Sequence, residues 1–290
     1  MSSNLSRRSF LAAASVAPSL AFAKPSAEDV KFKLGIVSYN VSATWDLKTT
    51  LDICKRVGIA AVECRTTHKH GVEPSLNASQ RKDVKKQFAD SGVVFWGCGS
   101  ICEFHSADEA VVKKNIETCK HFIGLSAELG GKGVKVRPNG VAKGMTAEKA
   151  CSQIGKSLIE CGKVASDAGL EICVEVHGAV TQLPKNMKLI MDACGHSSVG
   201  VTWNSNEIEV VNGSISEGFD LLSKHIRSCH INDLEKDKAG KYPYRELFRR
   251  LKEIGYDRYT MCEVGKSYEP KEGEAFLTKY KAMWTELTKG

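Results

Sequence analysis

Several features that define membrane-spanning and nucleic-acid-binding proteins are missing from this sequence of 290 residues. No apolar run reaches the roughly 20 residues that a helix needs to cross a lipid bilayer. No cluster of lysine and arginine with interleaved aromatic residues occurs, and the formal net charge is only +7, which does not indicate a nucleic-acid partner. The apolar fraction of 42% and the charged fraction of 26% are ordinary. The composition therefore indicates a globular protein that is able to form a sizeable core.

A disulfide framework is not indicated either, although eleven cysteines are present. No CxxC pair occurs, and the odd count leaves at least one thiol unpaired. Five of the cysteines fall on apolar phases of predicted helices and strands, where cysteine acts as a small hydrophobic residue: Cys151, Cys161, Cys173, Cys229 and Cys262. We therefore expect these thiols to belong to the core.

The first 23 residues lack acidic side chains altogether. They contain Arg7 and Arg8 followed by Ser-Phe-Leu, then an alanine-rich stretch, then Ala-Phe-Ala before Lys24. A charged start, an apolar middle and an A-x-A site are typical of a signal peptide, and the paired arginines resemble a twin-arginine export signal. We predict a twin-arginine signal peptide over 1–23, a short linker over 24–30 and a periplasmic or otherwise exported protein. An ordinary secretory signal or a disordered N-terminus is the alternative.

From Lys31 onward, short apolar runs alternate eight times with longer helical patterns. The first run is Leu34–Tyr39 and the last is Tyr259–Glu263. Strands that alternate with helices predict a parallel sheet, and eight such units in about 260 residues match the size of a (β/α)8 barrel. A doubly wound open sheet is the alternative. Such a sheet usually has a glycine-rich turn after its first strand, and the residues that follow Tyr39 contain no such turn. We predict a single (β/α)8 TIM barrel over residues 31–290.

The chemistry of such barrels lies at the carboxyl ends of the strands, and most of the predicted strands end on polar side chains. Burying such groups costs several kcal/mol unless they are paired or bound to a metal. We therefore expect a polar cavity formed by the strand-end residues, which are Asn40, Glu63, Arg65, Ser100, Arg137, Glu175, His177, Asn204, His230 and Glu263.

Two carboxylates and one imidazole are expected to converge in this cavity. Glu175, His230 and Glu263 end the fifth, seventh and eighth predicted strands. His177 lies two residues after Glu175 and so points to the same face. Hard oxygen ligands with an imidazole nitrogen suit Mn²⁺, Mg²⁺, Co²⁺ or Zn²⁺ rather than a metal that thiolates select.

The series Val-Glu175-Val-His177, Val-Thr-Trp-Asn204, Cys-His230-Ile-Asn-Asp233 and Cys-Glu263 resembles the xylose isomerase-like barrel superfamily, the sugar phosphate isomerase/epimerase family. The resemblance extends over the chain beyond the signal peptide. It implies one divalent metal, with Mn²⁺ as the first candidate. By position, the implied ligands are Glu175, Asn204, His230 and Glu263, and the two glutamates would also serve as the acid–base pair.

One departure from the family concerns the charge of the metal site. Where the family has aspartate, this sequence has Asn204, which offers a carbonyl oxygen but no charge. Where the epimerase branch often has histidine three residues on, this chain has Glu207. Glu207 restores the missing charge if its loop folds back, and we expect it and Asp233 to support the ligands from outside the metal site.

Five further residues are candidates for contact with a substrate. His177, Arg137, Glu63, His68 and His105 are expected to bind substrate hydroxyls. For Glu63 and Arg137, the alternative is that they pair with each other across the barrel. For the three histidines, the alternative is a purely structural role.

The resemblance implies proton abstraction next to the carbonyl of a keto-sugar. A bound metal stabilises the enediolate, one glutamate removes the proton, and a second returns it. The expected partner is a carbohydrate, and the sequence leaves open whether the protein forms a homo-oligomer. Alternatives are elimination, as in a dehydratase or a 3-keto-glycoside lyase, and a non-catalytic sugar-binding barrel. DNA repair of the endonuclease IV kind is disfavoured, because no Asp-x-His pair follows His230.

Overall fold

Eight parallel strands pair in the order of the sequence and close into a barrel, since β1 pairs with both β2 and β8. In this computed structural model, which describes residues 30–289, the predicted single (β/α)8 barrel is confirmed. The strands are β1 Lys33–Val37, β2 Ala61–Arg65, β3 Val94–Glu103, β4 Gly133–Arg137, β5 Glu171–Glu175, β6 Val199–Asn204, β7 Ile226–Ile231 and β8 Tyr259–Cys262.

The helices surround the barrel, and one short helix interrupts the connection between β7 and the helix that follows it. They are α1 Leu47–Val57, α2 Ala78–Ser91, α3 Glu109–Leu129, α4 Ala147–Asp167, α5 Pro184–Cys194, α6 Ser216–Leu222, α7 Glu235–Lys238, α8 Tyr244–Glu253 and α9 Pro270–Leu287. The short helix between β7 and α8 is α7, which has four residues. Single 3₁₀ turns cover Glu207–Glu209 and Ser223–His225.

The third strand is longer than the sequence pattern indicates. The apolar run predicted a strand that ends at Cys98, but β3 continues to Glu103. Its pairing with β4 shifts register between Gly99 and Glu103, as expected where extra residues bulge out of a strand. The extension carries Glu103 to the carboxyl end of the barrel, opposite Arg137.

The interior of the barrel is apolar at one end and polar at the other. Val37, Ala61, Trp96, Cys173 and Met261 form an apolar cluster of their own, separate from the larger core between sheet and helices. Three of its members, Ala61, Cys173 and Met261, each lie two residues before a glutamate along the chain. The alternation of side chains in a strand places each such pair of residues on the same face of the sheet. The cluster therefore closes the barrel directly beneath the polar site.

All eleven cysteines are buried and free. The predicted signal peptide and nearly all of the linker lie outside the described residues, so twin-arginine export remains a prediction. Among residues 30–289, no helix has the length and apolar character to cross a membrane.

A buried acid stabilises the loop after β6. Tyr242 donates from its hydroxyl to Glu209 Oε1 at 2.5 Å and accepts from Trp203 Nε1 at 3.0 Å. Glu209 is 3% exposed, and its Oε2 has no partner. Burial raises the pKa of Glu209 well above its usual value, although the bond from Tyr242 opposes this. Glu209 is therefore protonated in the folded protein at a pH where the unfolded chain is ionised.

We expect Glu209→Gln to flatten the pH dependence of stability. With a raised folded pKa, the contribution of Glu209 is complete below the unfolded pKa of ~4.3 and is lost as the pH rises towards the folded pKa. The loss proceeds at up to about 1.4 kcal/mol per pH unit, and the glutamine variant avoids it. Urea unfolding at pH 5, 6, 7 and 8 should show the variant gaining on the parent as the pH rises. Glu207→Gln, an exposed change in the same turn, is the control. A constant difference at all four pH values would contradict this account.

Candidate active site

A cavity of about 360 Å³ opens at the carboxyl end of the barrel, where the strand-end residues meet. Its wall carries three cations and two carboxylates and is otherwise mostly polar. The lining residues are Tyr39, Asn40, Arg65, Lys135, Arg137, Glu175, His177, Asn204, Asn232, Glu263, Val264 and Gly265.

His230 lies at the floor of the site between two carboxylates. Its Nε2 is 3.0 Å from Glu63 Oε2, and its Nδ1 is 3.2 Å from Glu263 Oε2. Both His230 and Glu63 have fully buried side chains. Burial alone would lower the pKa of His230, but the charges of Glu263 and Glu63 and their hydrogen bonds raise it well above its usual value. The two carboxylates therefore favour the protonated form of the imidazole.

A glycine makes room for the Glu63 carboxylate. A Cβ at Gly99 would lie 2.6 Å from Glu63 Oε1 and 3.3 Å from the Arg65 Cα. Since β2 and β3 pair there, neither backbone can move away freely. Gly99 is thus the position on β3 that lets a carboxylate from the neighbouring strand reach His230.

Lys135 is the site residue that the sequence pattern did not reveal. It lies in the middle of β4, is 2% exposed, and places its Nζ 2.7 Å from Glu175 Oε2. Burial alone would lower the pKa of Lys135, but the charges of Glu175, Glu63 and Glu263 raise it above its usual value. The available signal was alternation, because Lys135 precedes Arg137 by two residues and so shares its face of the strand.

Glu175 is held by two donors. Besides Lys135 at Oε2, Asn204 donates from Nδ2 to Glu175 Oε1 at 3.3 Å. Burial would raise the pKa of Glu175, but the charges of Lys135 and His230 lower it to about 2. Asn204 Oδ1 is buried without a partner. An unsatisfied carbonyl oxygen therefore lies beside an ionised carboxylate.

The donor set fits a divalent cation. Glu175, His230 and Glu263 each offer a ligand atom, and these atoms all lie within 4.8 Å of one another. The orphaned Asn204 Oδ1 adds a fourth donor of the kind that hard cations accept. Two features oppose the cation: the Lys135 ammonium already neutralises Glu175, and both nitrogens of His230 face carboxylates. His230 must lose a proton before it can bind a metal.

Glu63 and Arg137 do not pair with each other. Glu63 contacts His230, whereas Arg137 forms an ion pair with Glu103, which also accepts from Asn139 Nδ2 at 2.7 Å. The sequence pattern did not indicate Glu103 as a site residue, because the predicted third strand ended at Cys98 and β3 continues to Glu103. Arg137 and His177 both line the cavity, and each keeps one buried nitrogen, Nε and Nδ1 respectively, without a partner.

The two loop histidines lie behind the cavity wall, His68 by one contact and His105 by two, through Glu103 and Arg137. His68 stacks on Tyr39 with the ring centroids 6.0 Å apart, and Tyr39 lines the cavity. His105 Nδ1 is 3.9 Å from Glu103 Oε2. Neither histidine is part of the cavity lining, so each would reach a substrate only through the movement of another side chain.

The two predicted supporting acids lie at the surface. Asp233 accepts from the backbone N–H of Glu235 at the start of α7, and Glu207 is 3.0 Å from Lys236 and half exposed. Within the described part of the chain, neither makes a hydrogen bond or ion pair with a predicted ligand. Glu207 does not reach the predicted ligands, because its carboxylate pairs with Lys236 of α7 at the surface.

We expect Gly99→Ala to destabilise the protein by about 1–3 kcal/mol, because overpacking a tight interior has that cost. Gly124→Ala in α3 is the matched control, since a Cβ there would meet nothing within 4 Å and alanine is favoured in a helix by up to about 1 kcal/mol. Urea unfolding of both variants measures the difference. Equal stability of the two variants would show that the Glu63 carboxylate does not need the space.

Comparisons with known proteins agree with this architecture. Residues 51–280 match the family model described as xylose isomerase-like TIM barrel. Among curated protein sequences, none matches significantly.

Three solved structures illustrate the similarity of fold. D-psicose 3-epimerase, solved in the presence of D-fructose, superposes with a TM-score of 0.74 at 13% identity, over 89% of this chain and 100% of its own. The 3-keto-D-glucoside 4-epimerase YcjR from E. coli gives 0.71 at 14% identity, over 88% and 100%. The IOLI protein with a bound zinc atom gives 0.72 at 19%, over 89% and 98%.

Proposed function

This chain belongs to the xylose isomerase-like TIM barrel family, and from that premise we propose that it is a divalent-metal-dependent sugar isomerase or epimerase. The observation that carries the proposal is the convergence of Glu175, His230 and Glu263 within 4.8 Å at the floor of a polar cavity. The names of the similar structures support the choice of substrate class, because two of the three are sugar epimerases.

In this proposal, Glu175, Asn204, His230 and Glu263 hold the metal, with Mn²⁺ as the first candidate. When bound, the metal acts as a Lewis acid that stabilises negative charge on the oxygens of the substrate. The polar wall of the cavity binds the hydroxyl groups. The apolar cluster beneath the site keeps water from entering through the barrel, which strengthens each electrostatic contact above it.

We assign removal of the proton to Glu263. Its side chain is 14% exposed and lines the cavity, and only its Oε2 is engaged, by His230. Glu175 has both oxygens engaged by Lys135 and Asn204, so it is the less available base. Glu175 is the second carboxylate, which an epimerase needs at the other face of the substrate and an isomerase at the neighbouring carbon.

We expect Glu263→Gln to lower turnover by about 10²–10⁴-fold, the usual contribution of a positioned general base. The measurement is the exchange of the hydrogen next to the carbonyl of a ketose panel in D₂O, followed by NMR. This readout detects proton removal whether the product is an isomer, an epimer or an elimination product. Glu272→Gln, an exposed change in α9, is the control. An identified exchange activity that survives Glu263→Gln would contradict the assignment.

Lys135 and Asn204 should set the metal affinity. Lys135→Met removes a cation from the site, and Asn204→Asp adds a charge to it. We expect each change to tighten Mn²⁺ binding by on the order of tenfold, which corresponds to about 1.4 kcal/mol. Titration calorimetry on metal-free protein measures the affinity. Lys132→Met, an exposed change just before β4, is the control.

In metal-free Lys135→Met, Glu175 loses its counter-ion, so the melting temperature without metal should fall while the gain on adding Mn²⁺ grows. If no divalent ion binds any of these variants, the metal assignment is wrong.

A non-catalytic sugar-binding barrel is the second candidate function. It is favoured by the same two residues, because the Lys135 ammonium already neutralises Glu175 and the neutral Asn204 adds no charge that would attract a cation. Sugar binding without hydrogen exchange and without metal-dependent stabilisation would select this second function.

A further inference from the structure

Arg65 is a cation of the cavity wall that has no carboxylate partner. It ends β2 and lines the cavity. Its guanidinium lies over the Tyr39 ring, 5.6 Å from the centroid, and its Nη1 donates to the Thr66 carbonyl at 2.8 Å. Within residues 30–289 it makes no ion pair, whereas the other two cations of the wall, Lys135 and Arg137, each pair with a glutamate. Two contacts therefore hold Arg65 in place, and no carboxylate of the described residues lies within ion-pairing distance of it, although the charges of Glu175 and Glu63 act on it from farther away.

Polar nitrogens without partners lie in the same wall. Arg137 Nε, which is a donor, and His177 Nδ1, which donates or accepts according to its tautomer, are buried and make no hydrogen bond in the described residues. Leaving a buried donor unpaired is unfavourable, and a ligand that accepts from that atom recovers the lost free energy. Burial lowers the pKa of Arg65, and the charge of Arg137 lowers it further, so the two guanidiniums lie close enough to repel each other. An acceptor between them removes that repulsion.

The ion pairs of the site lead in the same direction, and this step rests on the proposed function. The other charged side chains already have partners at short distance within the described residues. Lys135 pairs with Glu175, Arg137 pairs with Glu103, and His230 contacts Glu63 and Glu263. Arg65 is thus the cation of the cavity wall that is available to an anionic group of a substrate.

We propose that the substrate of this site is an acid sugar, a keto-sugar that carries one carboxylate, and that Arg65 binds this carboxylate at the cavity wall with Arg137 Nε as a neighbouring donor. A planar guanidinium matches a carboxylate with two parallel hydrogen bonds. The hydroxyl-bearing part of the sugar then extends towards Glu175 and Glu263. Arg65 offers a single positive charge outside the ion pairs, which one carboxylate matches, whereas a phosphate brings nearly two negative charges.

The test compares ligands that differ in one group and cannot be turned over. Titration calorimetry on the Mn²⁺-loaded protein measures D-gluconate, its neutral counterpart D-glucitol, and D-glucitol 6-phosphate. We expect gluconate to bind at least tenfold more tightly than glucitol. Arg65→Gln should remove that preference, and Arg65→Lys should keep part of it. Arg249→Gln, an exposed change in α8, should leave all three affinities unchanged. Gluconate also contacts free metal, but equally for every variant, so the difference between variants reports the guanidinium.

Each outcome decides the proposal. Gluconate that binds no more tightly than glucitol, or that is insensitive to Arg65→Gln, overturns it. A stronger, Arg65-dependent preference for the phosphate overturns the carboxylate in favour of a sugar phosphate. The melting temperature of each variant without ligand verifies that the fold is intact. If gluconate binding depends on Arg65 but no ketose or keto-acid exchanges hydrogen in D₂O, the acid-sugar site stands while the proposed catalysis fails.

Discussion

Buried charge at the carboxyl end of the barrel is the constraint on which the site depends. Removing a carboxylate from water costs several kcal/mol even after the protein relaxes, and here Glu63 and Glu175 are almost wholly buried. The fold meets this cost with cations from other strands, Lys135 on the neighbouring β4 for Glu175 and His230 on β7 across the barrel for Glu63. The geometry of the floor follows from these pairs, including the glycine at position 99 that leaves room for one of them.

The same pairs limit what the site can bind. A divalent cation has to displace the ammonium of Lys135 from Glu175 and the proton from His230, so the free energy of metal binding is the difference between the electrostatic energies of the two arrangements. Asn204 reduces the charge available to the cation but leaves a carbonyl oxygen free for it. The chain thus combines a metal-ligand geometry with an internal substitute for the metal charge, which makes metal affinity sensitive to single substitutions.

The residues beneath and behind the site hold its strands and loops in place, whereas the residues around its mouth are available to bind a ligand. Beneath it, an apolar cluster closes the barrel, and on the outer face of β6 the Trp203–Tyr242–Glu209 chain ties the following loop to the sheet. Around the mouth, one arginine is neutralised by Glu103 while Arg65 is held only by an aromatic ring and a carbonyl. Fixed pairs at the floor and, within the described residues, an arginine without an ion pair at the wall are the arrangement on which the proposed acid-sugar site rests.

The sequence by itself determined the barrel and the strand ends, because alternation of strands and helices and the period of apolar residues are local properties. Those properties were enough to predict that Glu175, His230 and Glu263 meet at one end of the barrel. Only the tertiary structure decided the partners. Closure of the barrel brings Glu63 to His230 across 167 positions, the bulged β3 brings Glu103 to Arg137, and the fold buries Lys135 in mid-strand. Such pairs depend on strand stagger and loop insertions, and no local pattern encodes these.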